Sequence, residues 1–134
     1  MKTVVFACVH NAGRSQMAAA FFNALADPGK ARAISAGTQP AARVHPEVVE
    51  AMKEAGIDLA GAAPALLTAE RAAGASLLVT MGCGEACPVI PGARVEDWPL
   101  EDPKGKPPGR VRELRDEIRG RIVRLLHDMK WEKP

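Results

Sequence analysis

The chain reads as an α/β protein: three αβα layers, with a four-stranded parallel sheet between helices, in a single domain spanning residues 1–134. Three observations predict this. Apolar, strand-like segments alternate with helical ones along the sequence, the order that builds βαβ units. The first and third strand segments are apolar throughout, the pattern of strands buried on both faces. The residues able to do chemistry follow strand ends, where open α/β sheets bind ligands.

The elements follow in order. Thr3-Val4-Val5-Phe6-Ala7 forms the first strand, and residues 15–26 form a helix that stops before Asp27-Pro28-Gly29, a turn signal. Ala31 to Gly37 is the second strand. Pro46 to Ala55 is helical: Val48, Val49, Met52 and Ala55 share a face, and Gly56 ends it. The alanine-rich stretch from Ala60 to Gly74 holds another short helix. Ser76 to Met81 is the third strand and Arg94 to Trp98 the fourth. A loop rich in Pro, Gly and Lys, Asp102 to Gly109, leads into the last helix. That helix carries Val111, Leu114, Ile118, Ile122, Leu125 and Met129 on one stripe, with arginines on a solvated face opposite.

Composition narrows the function classes. A chain of 134 residues with 47% hydrophobic and 25% charged residues has the make-up of a globular domain able to bury a core. A net charge of +2 implies no strong pull toward nucleic acid or a membrane surface. No apolar stretch is long enough to span a bilayer, and the N-terminal run lacks the flanks of a signal peptide. The expected location is therefore the cytoplasm, and the expected state a monomer. Three cysteines there argue against a static disulfide framework and leave catalytic, redox or metal roles.

The densest chemistry lies between the first strand and first helix, in Cys8-Val9-His10-Asn11-Ala12-Gly13-Arg14-Ser15. A loop closing over five residues turns successive N–H groups inward and makes an anion-binding nest. The following helix adds unpaired N–H groups and the positive end of its dipole. Arg14 supplies a fork of donors that matches two oxygens of a phosphate-like group. The same positive field favours the thiolate of Cys8, the reactive form. Ser15 is placed to cap the helix or to donate to that sulfur, and Gly13 permits a positive φ. The bland alternative is an inert buried cysteine beside a surface arginine, which the strand, glycine, serine and helix around it disfavour.

A second cluster, Gly82-Cys83-Gly84-Glu85-Ala86-Cys87-Pro88, carries two thiols four positions apart. On a helix their Cα atoms lie about one turn, roughly 6 Å, apart, within reach of a disulfide. Three readings compete for the pair: buried structural cysteines, a zinc site shared with Cys8 and His10 that lacks the familiar ligand spacings, and a redox relay with Cys8. Asp102-Pro103 is either a simple turn or the seat of a general acid that protonates a leaving oxygen. Glu101 and Asp97 are alternatives for that acid. His10 and His45 are further acid or base candidates, although His10 is expected to point outward and His45 to sit at a helix start before Pro46.

These residues carry a resemblance. Cys-x5-Arg-Ser on the first strand–helix turn, with Asp-Pro far downstream, resembles the low-molecular-weight protein tyrosine phosphatases. The sequence more closely resembles their relatives, the thioredoxin-coupled arsenate reductases. Arg14-Ser15-Gln16-Met17-Ala18, Ser35-Ala36-Gly37, Val79-Thr80-Met81 and Trp98 to Pro103 carry the likeness, which runs along nearly the whole chain. The resemblance implies a low-molecular-weight phosphatase-like fold and a three-thiol mechanism. Cys8 attacks arsenate held by the amides of Val9, His10, Asn11, Ala12, Gly13, Arg14 and Ser15 and by the Arg14 side chain. Asp102 protonates the departing oxygen, Cys83 attacks Cys8 and releases arsenite, and Cys87 attacks Cys83 and carries the disulfide outward. Ser15 and Asn11 tune and order the loop. The implied partners are arsenate, with phosphate or sulfate as analogues, and thioredoxin, which supplies the reducing equivalents without a bound cofactor. Only Gly84, Glu85 and Ala86 separate the two relay cysteines, fewer residues than in the best-known branch. That branch also holds a monovalent cation through acidic positions that correspond to Ala19 and Ala65 here, and no metal is expected. A phosphatase using Cys8, Arg14 and Asp102 is the alternative enzyme, and a metalloid-binding sensor the alternative outside enzymes.

Overall fold

In a computed structural model, residues 1–82 and 92–133 are described. Their elements follow the order that the sequence pattern predicts: β1 (Lys2–Cys8), α1 (Arg14–Leu25), β2 (Ala31–Gly37), α2 (Pro46–Glu54), α3 (Ala69–Ala72), β3 (Leu77–Thr80), β4 (Arg94–Asp97) and α4 (Pro108–Met129). The four strands form one sheet in the order β2-β1-β3-β4, and every neighbouring pair is parallel.

Strand periodicity divides the core. Val4, Phe6 and Cys8 face one way, packing with Met17, Phe21 and Phe22 of α1, Val48 and Met52 of α2, and Val111, Ile118 and Ile122 of α4. Val5 and Ala7 face the other way, against Leu67, Ala72 and Ala75 on and beside α3. Both faces of β1 are therefore covered, which explains its unbroken apolar run. Phe6 anchors the first layer, 5.7 Å from Trp98 and 6.0 Å from Phe22 between ring centroids.

Three details depart from expectation. Met129 ends the α4 stripe 40% exposed, and Leu126, one turn position away, is buried in its place. The helix opens two residues inside the expected loop, because Pro108 suits a first helical turn, where its missing N–H has no partner to lose. The arginine face of α4 is only partly solvated: Arg115 donates to Ala51 O at 2.9 Å, and Arg121 lies 5.8 Å above the Trp98 ring.

The strand order has a functional consequence. From the end of β1 the chain turns to β2 on one side, and β3 lies on the other. The carboxyl end of β1 is thus the point where strand order reverses, and a crevice opens there. Cys8 is the last residue of β1.

Candidate active site

The loop after β1 owes its shape to where its carbonyl groups go. Cys8 O accepts from Thr38 N at 3.3 Å, Val9 O from Gln39 N at 2.8 Å, His10 O from Ala41 N at 2.9 Å and Ala12 O from His45 N at 2.9 Å. Gly13 O accepts from Met17 N at 3.0 Å, and Asn11 O from Gln16 Nε2 at 3.0 Å. Every carbonyl from Cys8 to Gly13 is thereby turned outward. The N–H groups of residues 9–15 have no hydrogen-bond partner among the described residues. A loop with its carbonyls satisfied outside and its N–H groups free inside is a nest for a multi-oxygen anion, and α1 begins at Arg14 to add its dipole.

The bend in the loop falls at Asn11, whose φ of 49° is left-handed; Asn tolerates that region better than most residues. Gly13 has φ −143°, so the sequence expectation of a positive φ there is corrected. Glycine is needed at that position for space, because a Cβ would lie 2.7 Å from Pro103 Cγ.

Cys8 is 2% exposed, and its Sγ lies 2.9 Å from Ser15 Oγ. Asn11 Nδ2 donates to the same Oγ at 2.7 Å. Since Nδ2 carries only donors, Ser15 Oγ accepts there and has its own proton free for the Cys8 sulfur. The Asn11 amide orientation is fixed by Ala65 N, which donates to Oδ1 at 2.9 Å. Ser15 thus takes the second of its two expected roles. It does not cap α1, which has no side-chain cap.

Arg14 is buried; its Nη1 donates to Leu100 O at 3.0 Å, and its Nη2 lies 3.9 Å from Asp102 Oδ2. Gly82, with φ 94°, packs directly on the guanidinium, and a Cβ there would strike Nη1. Asp102 accepts from Lys104 N at 3.0 Å through Oδ1 and keeps its side chain 41% exposed. The nucleophile, arginine and acid expected from sequence thus come from the ends of β1, α1 and the segment after β4.

The other acid candidates face elsewhere. Glu101 is held by Arg110 at 2.6 Å and Lys106 at 3.6 Å, and the Arg110 hydrogen bond, chief among these influences, keeps its carboxyl below the ordinary value of 4.5. Asp97 accepts from Thr80 Oγ1 at 2.9 Å. His10 turns its Nδ1 to Gln39 O at 3.0 Å, so its ring faces out of the nest. His45 precedes α2, where Pro46 is the first residue. Among the described residues no group of three His, Cys, Asp or Glu side chains is gathered for a metal. Cys83 and Cys87 lie outside the described residues.

Sequence reasoning missed the residues that support the loop from behind. Gly37 lies against it: a Cβ there would sit 2.7 Å from Val9 O and 2.9 Å from Asn11 N. Gln16 and Ala65 hold Asn11, and Ala63 O in turn accepts from Gln16 Nε2. The glycine ending the second strand was the only visible signal, and nothing local ties residues 63–65 to residue 11.

The comparisons with known proteins agree with this geometry. The chain is 38% identical over 127 residues to a putative arsenate reductase of Halobacterium salinarum, covering 92% of this chain and 89% of that protein. Its fold superposes with TM-score 0.84 and 38% identity on a thioredoxin-dependent arsenate reductase of Corynebacterium glutamicum, covering 97% of this chain but 62% of that longer one. A second solved structure, an arsenate reductase in the phosphate binding state, matches with TM-score 0.77 and 32% identity over 96% of this chain and 98% of its own. Residues 3–134 match the family described as low molecular weight phosphotyrosine protein phosphatase, and the chain belongs to that family.

Proposed function

We propose that the protein is an arsenate reductase that converts arsenate to arsenite through a Cys8–Cys83–Cys87 thiol relay, and so serves arsenic detoxification. The observation that carries the oxyanion half of this reading is the nest: outward carbonyls from Cys8 to Gly13, free N–H groups inside, and a cysteine sulfur bonded to Ser15. The similarity to reductases of arsenate, one of them thioredoxin-dependent, supports the redox half.

The chemistry balances as follows. The Cys8 thiolate attacks arsenic and forms an S–As bond, and an oxygen leaves as water with a proton from Asp102. The Cys83 thiolate then attacks the Cys8 sulfur. The S–As electron pair passes to arsenic, which leaves as arsenite, and a Cys8–Cys83 disulfide remains. Cys87 attacks Cys83, freeing Cys8 and forming a Cys83–Cys87 disulfide. A thioredoxin dithiol reduces that bond, so no bound cofactor is required. Arg14 and the loop amides of Val9, His10, Asn11, Ala12, Gly13 and Ser15 hold the anion, for which phosphate and sulfate are analogues. Every group named lies in one chain, so a monomer of one domain suffices. The relay needs reduced thiols, a requirement that the cytoplasm meets. No helix of the described residues is long and apolar enough to cross a membrane.

The second reading, a phosphatase using Cys8, Arg14 and Asp102, is favoured by family membership and by the same nest. One experiment separates them: NADPH consumption coupled through thioredoxin and its reductase, with arsenate, for wild type and Cys83→Ser. Wild type is expected to turn over continuously and Cys83→Ser to stop once Cys8 is loaded. Hydrolysis of p-nitrophenyl phosphate should survive in the variant. A Cys83→Ser enzyme that reduces arsenate at the wild-type rate would sink the relay.

A further inference from the structure

Gln16 is buried, 6% exposed, on the first turn of α1, outside the Cys8–Ser15 loop. Its Nε2 lies among three oxygens: Asn11 O at 3.0 Å, Asn11 Oδ1 at 3.2 Å and Ala63 O at 3.3 Å. All three are acceptors, which assigns the donating NH2 to that end of the amide. Of the loop carbonyls from Cys8 to Gly13, Asn11 O alone takes its partner from a side chain; the others take backbone N–H groups. Asn11 is also the residue in the left-handed region, with φ 49°, where the loop turns.

We propose that Gln16 is a positioning residue for the Cys8 nucleophile: its amide pins both oxygens of Asn11, and through Asn11 it fixes the direction of the Ser15 hydroxyl proton toward the sulfur. The chain of contacts runs from Gln16 Nε2 to Asn11 O and Oδ1, from Asn11 Nδ2 to Ser15 Oγ at 2.7 Å, and from Ser15 Oγ to Cys8 Sγ at 2.9 Å. Each link has a direction. With Gln16 and Ala65 N both donating to Oδ1, the Asn11 amide cannot flip without facing donor to donor. Unflipped, it donates to Ser15 Oγ and leaves the Oγ proton free to be given to the Cys8 thiolate. Without Gln16, Asn11 O is a buried acceptor with no partner, and the loop relaxes by turning that carbonyl, the group beside the Asn11 φ of 49°.

The inference rests on Cys8 as nucleophile and holds for reduction and phosphoryl transfer alike, so the test reads Cys8 itself. In full-length Cys83→Ser/Cys87→Ser protein Cys8 is the sole remaining cysteine of three, and its alkylation by iodoacetamide at pH 7 reports thiolate reactivity. Ser15→Ala is expected to slow alkylation about 10- to 100-fold, the value of a hydrogen bond to a charged group. Gln16→Met, of similar length, should slow it about 3- to 10-fold, the value of a neutral hydrogen bond one step removed. In the Ser15→Ala background Gln16→Met should add nothing, because the route to Cys8 is already cut. Protection by inorganic phosphate should weaken in Gln16→Met, as one loop peptide turns. Wild-type alkylation in folded Gln16→Met overturns the proposal. So does an equal slowing with and without Ser15, which would mean that Gln16 only supports the fold. If Gln16→Met fails to fold, Gln16→Glu, which keeps shape and polarity, carries the test. Its carboxylate faces three acceptors, so slowing at least as large is expected, and a wild-type rate refutes the role.

Discussion

Gly37→Ala tests whether the back of the nest matters as much as its front. Gly37 ends β2, and its missing side chain lets the loop lie against the strand. A Cβ there would sit 2.7 Å from Val9 O and 2.9 Å from both Asn11 N and Asn11 Cβ, two of them backbone atoms that no rotamer change can move. Ordinary carbon contacts begin near 3.4 Å, so the loop must recede by about 0.7 Å. The peptides that tie the two segments together take up that shift: Gln39 N to Val9 O at 2.8 Å and Thr38 N to Cys8 O at 3.3 Å. Overpacking of this kind costs about 1–3 kcal/mol, and a melting temperature lower by about 3–10 °C follows for a domain of this size. The functional cost is larger in proportion. A misplacement of about 1 Å can slow chemistry about a hundredfold, so a loss on the order of tenfold or more is expected in turnover. Affinity for inorganic phosphate should fall by about tenfold as one N–H leaves the anion's reach. Thermal melts and phosphate inhibition constants check this. Wild-type melting temperature together with wild-type phosphate affinity would show that the loop does not depend on contact with β2. A lower melting temperature with unchanged affinity would show that the strain is absorbed elsewhere.

Two further outcomes follow from the acid side of the site. Asp102→Asn should lower the first chemical step of either reaction by about a hundredfold or more, the usual contribution of a general acid, while phosphate still binds; single-turnover kinetics would separate the two, and an unchanged rate moves the acid elsewhere. Glu101 concerns stability. Its carboxyl is held below 4.5 chiefly by Arg110, so its contribution is present above that pH and lost as pH falls through the lowered value. Glu101→Gln should therefore melt lower than wild type at pH 7, and the two should converge on acidification. Because the pair is exposed, 1 M salt should also close most of the gap. A gap that does not narrow at all on acidification would assign the loss to packing instead.

Much of the fold is written locally. Val4, Val5 and Phe6 alternate between two covered faces, and the α4 stripe from Val111 to Leu125 repeats at helical spacing, so period and burial coincide. The alanine-rich segment gave only α3, four residues long, because alanine propensity without an apolar period does not fix a boundary. The front of the nest was equally legible: a cysteine ending an apolar strand and an Arg-Ser opening a helix define what each can do. The back was not. The Gly37 contact with residues 9 and 11, the bond from Ala65 N to Asn11 and the bond from Gln16 to Ala63 O join segments distant in sequence. Sequence spacing marks a glycine as flexible, but whether it is needed for φ or for room depends on what the fold brings beside it. Gly13 is needed for room, for Pro103, and the positive φ falls on Asn11.

The proposed nest would serve two chemistries up to the first covalent adduct, because arsenate and phosphate share charge and tetrahedral shape. On the proposed reading Cys8 attacks, Asp102 gives a proton, and the helix and Arg14 hold the remaining oxygens in both. The paths divide at the second nucleophile. Water attacking phosphorus returns phosphate and leaves every oxidation state unchanged. A thiolate attacking the Cys8 sulfur sends an electron pair to the bound atom, which arsenic(V) accepts and phosphorus does not. On the proposed reading the loop alone discriminates little, and the choice falls to whatever delivers that thiolate. Gly82, the residue before Cys83 in the sequence, packs on the Arg14 guanidinium. Gly82 therefore lies at the proposed oxyanion site, one residue before the proposed second thiol. A chain that only hydrolysed phosphate esters would have no chemical use for a thiol introduced at that point.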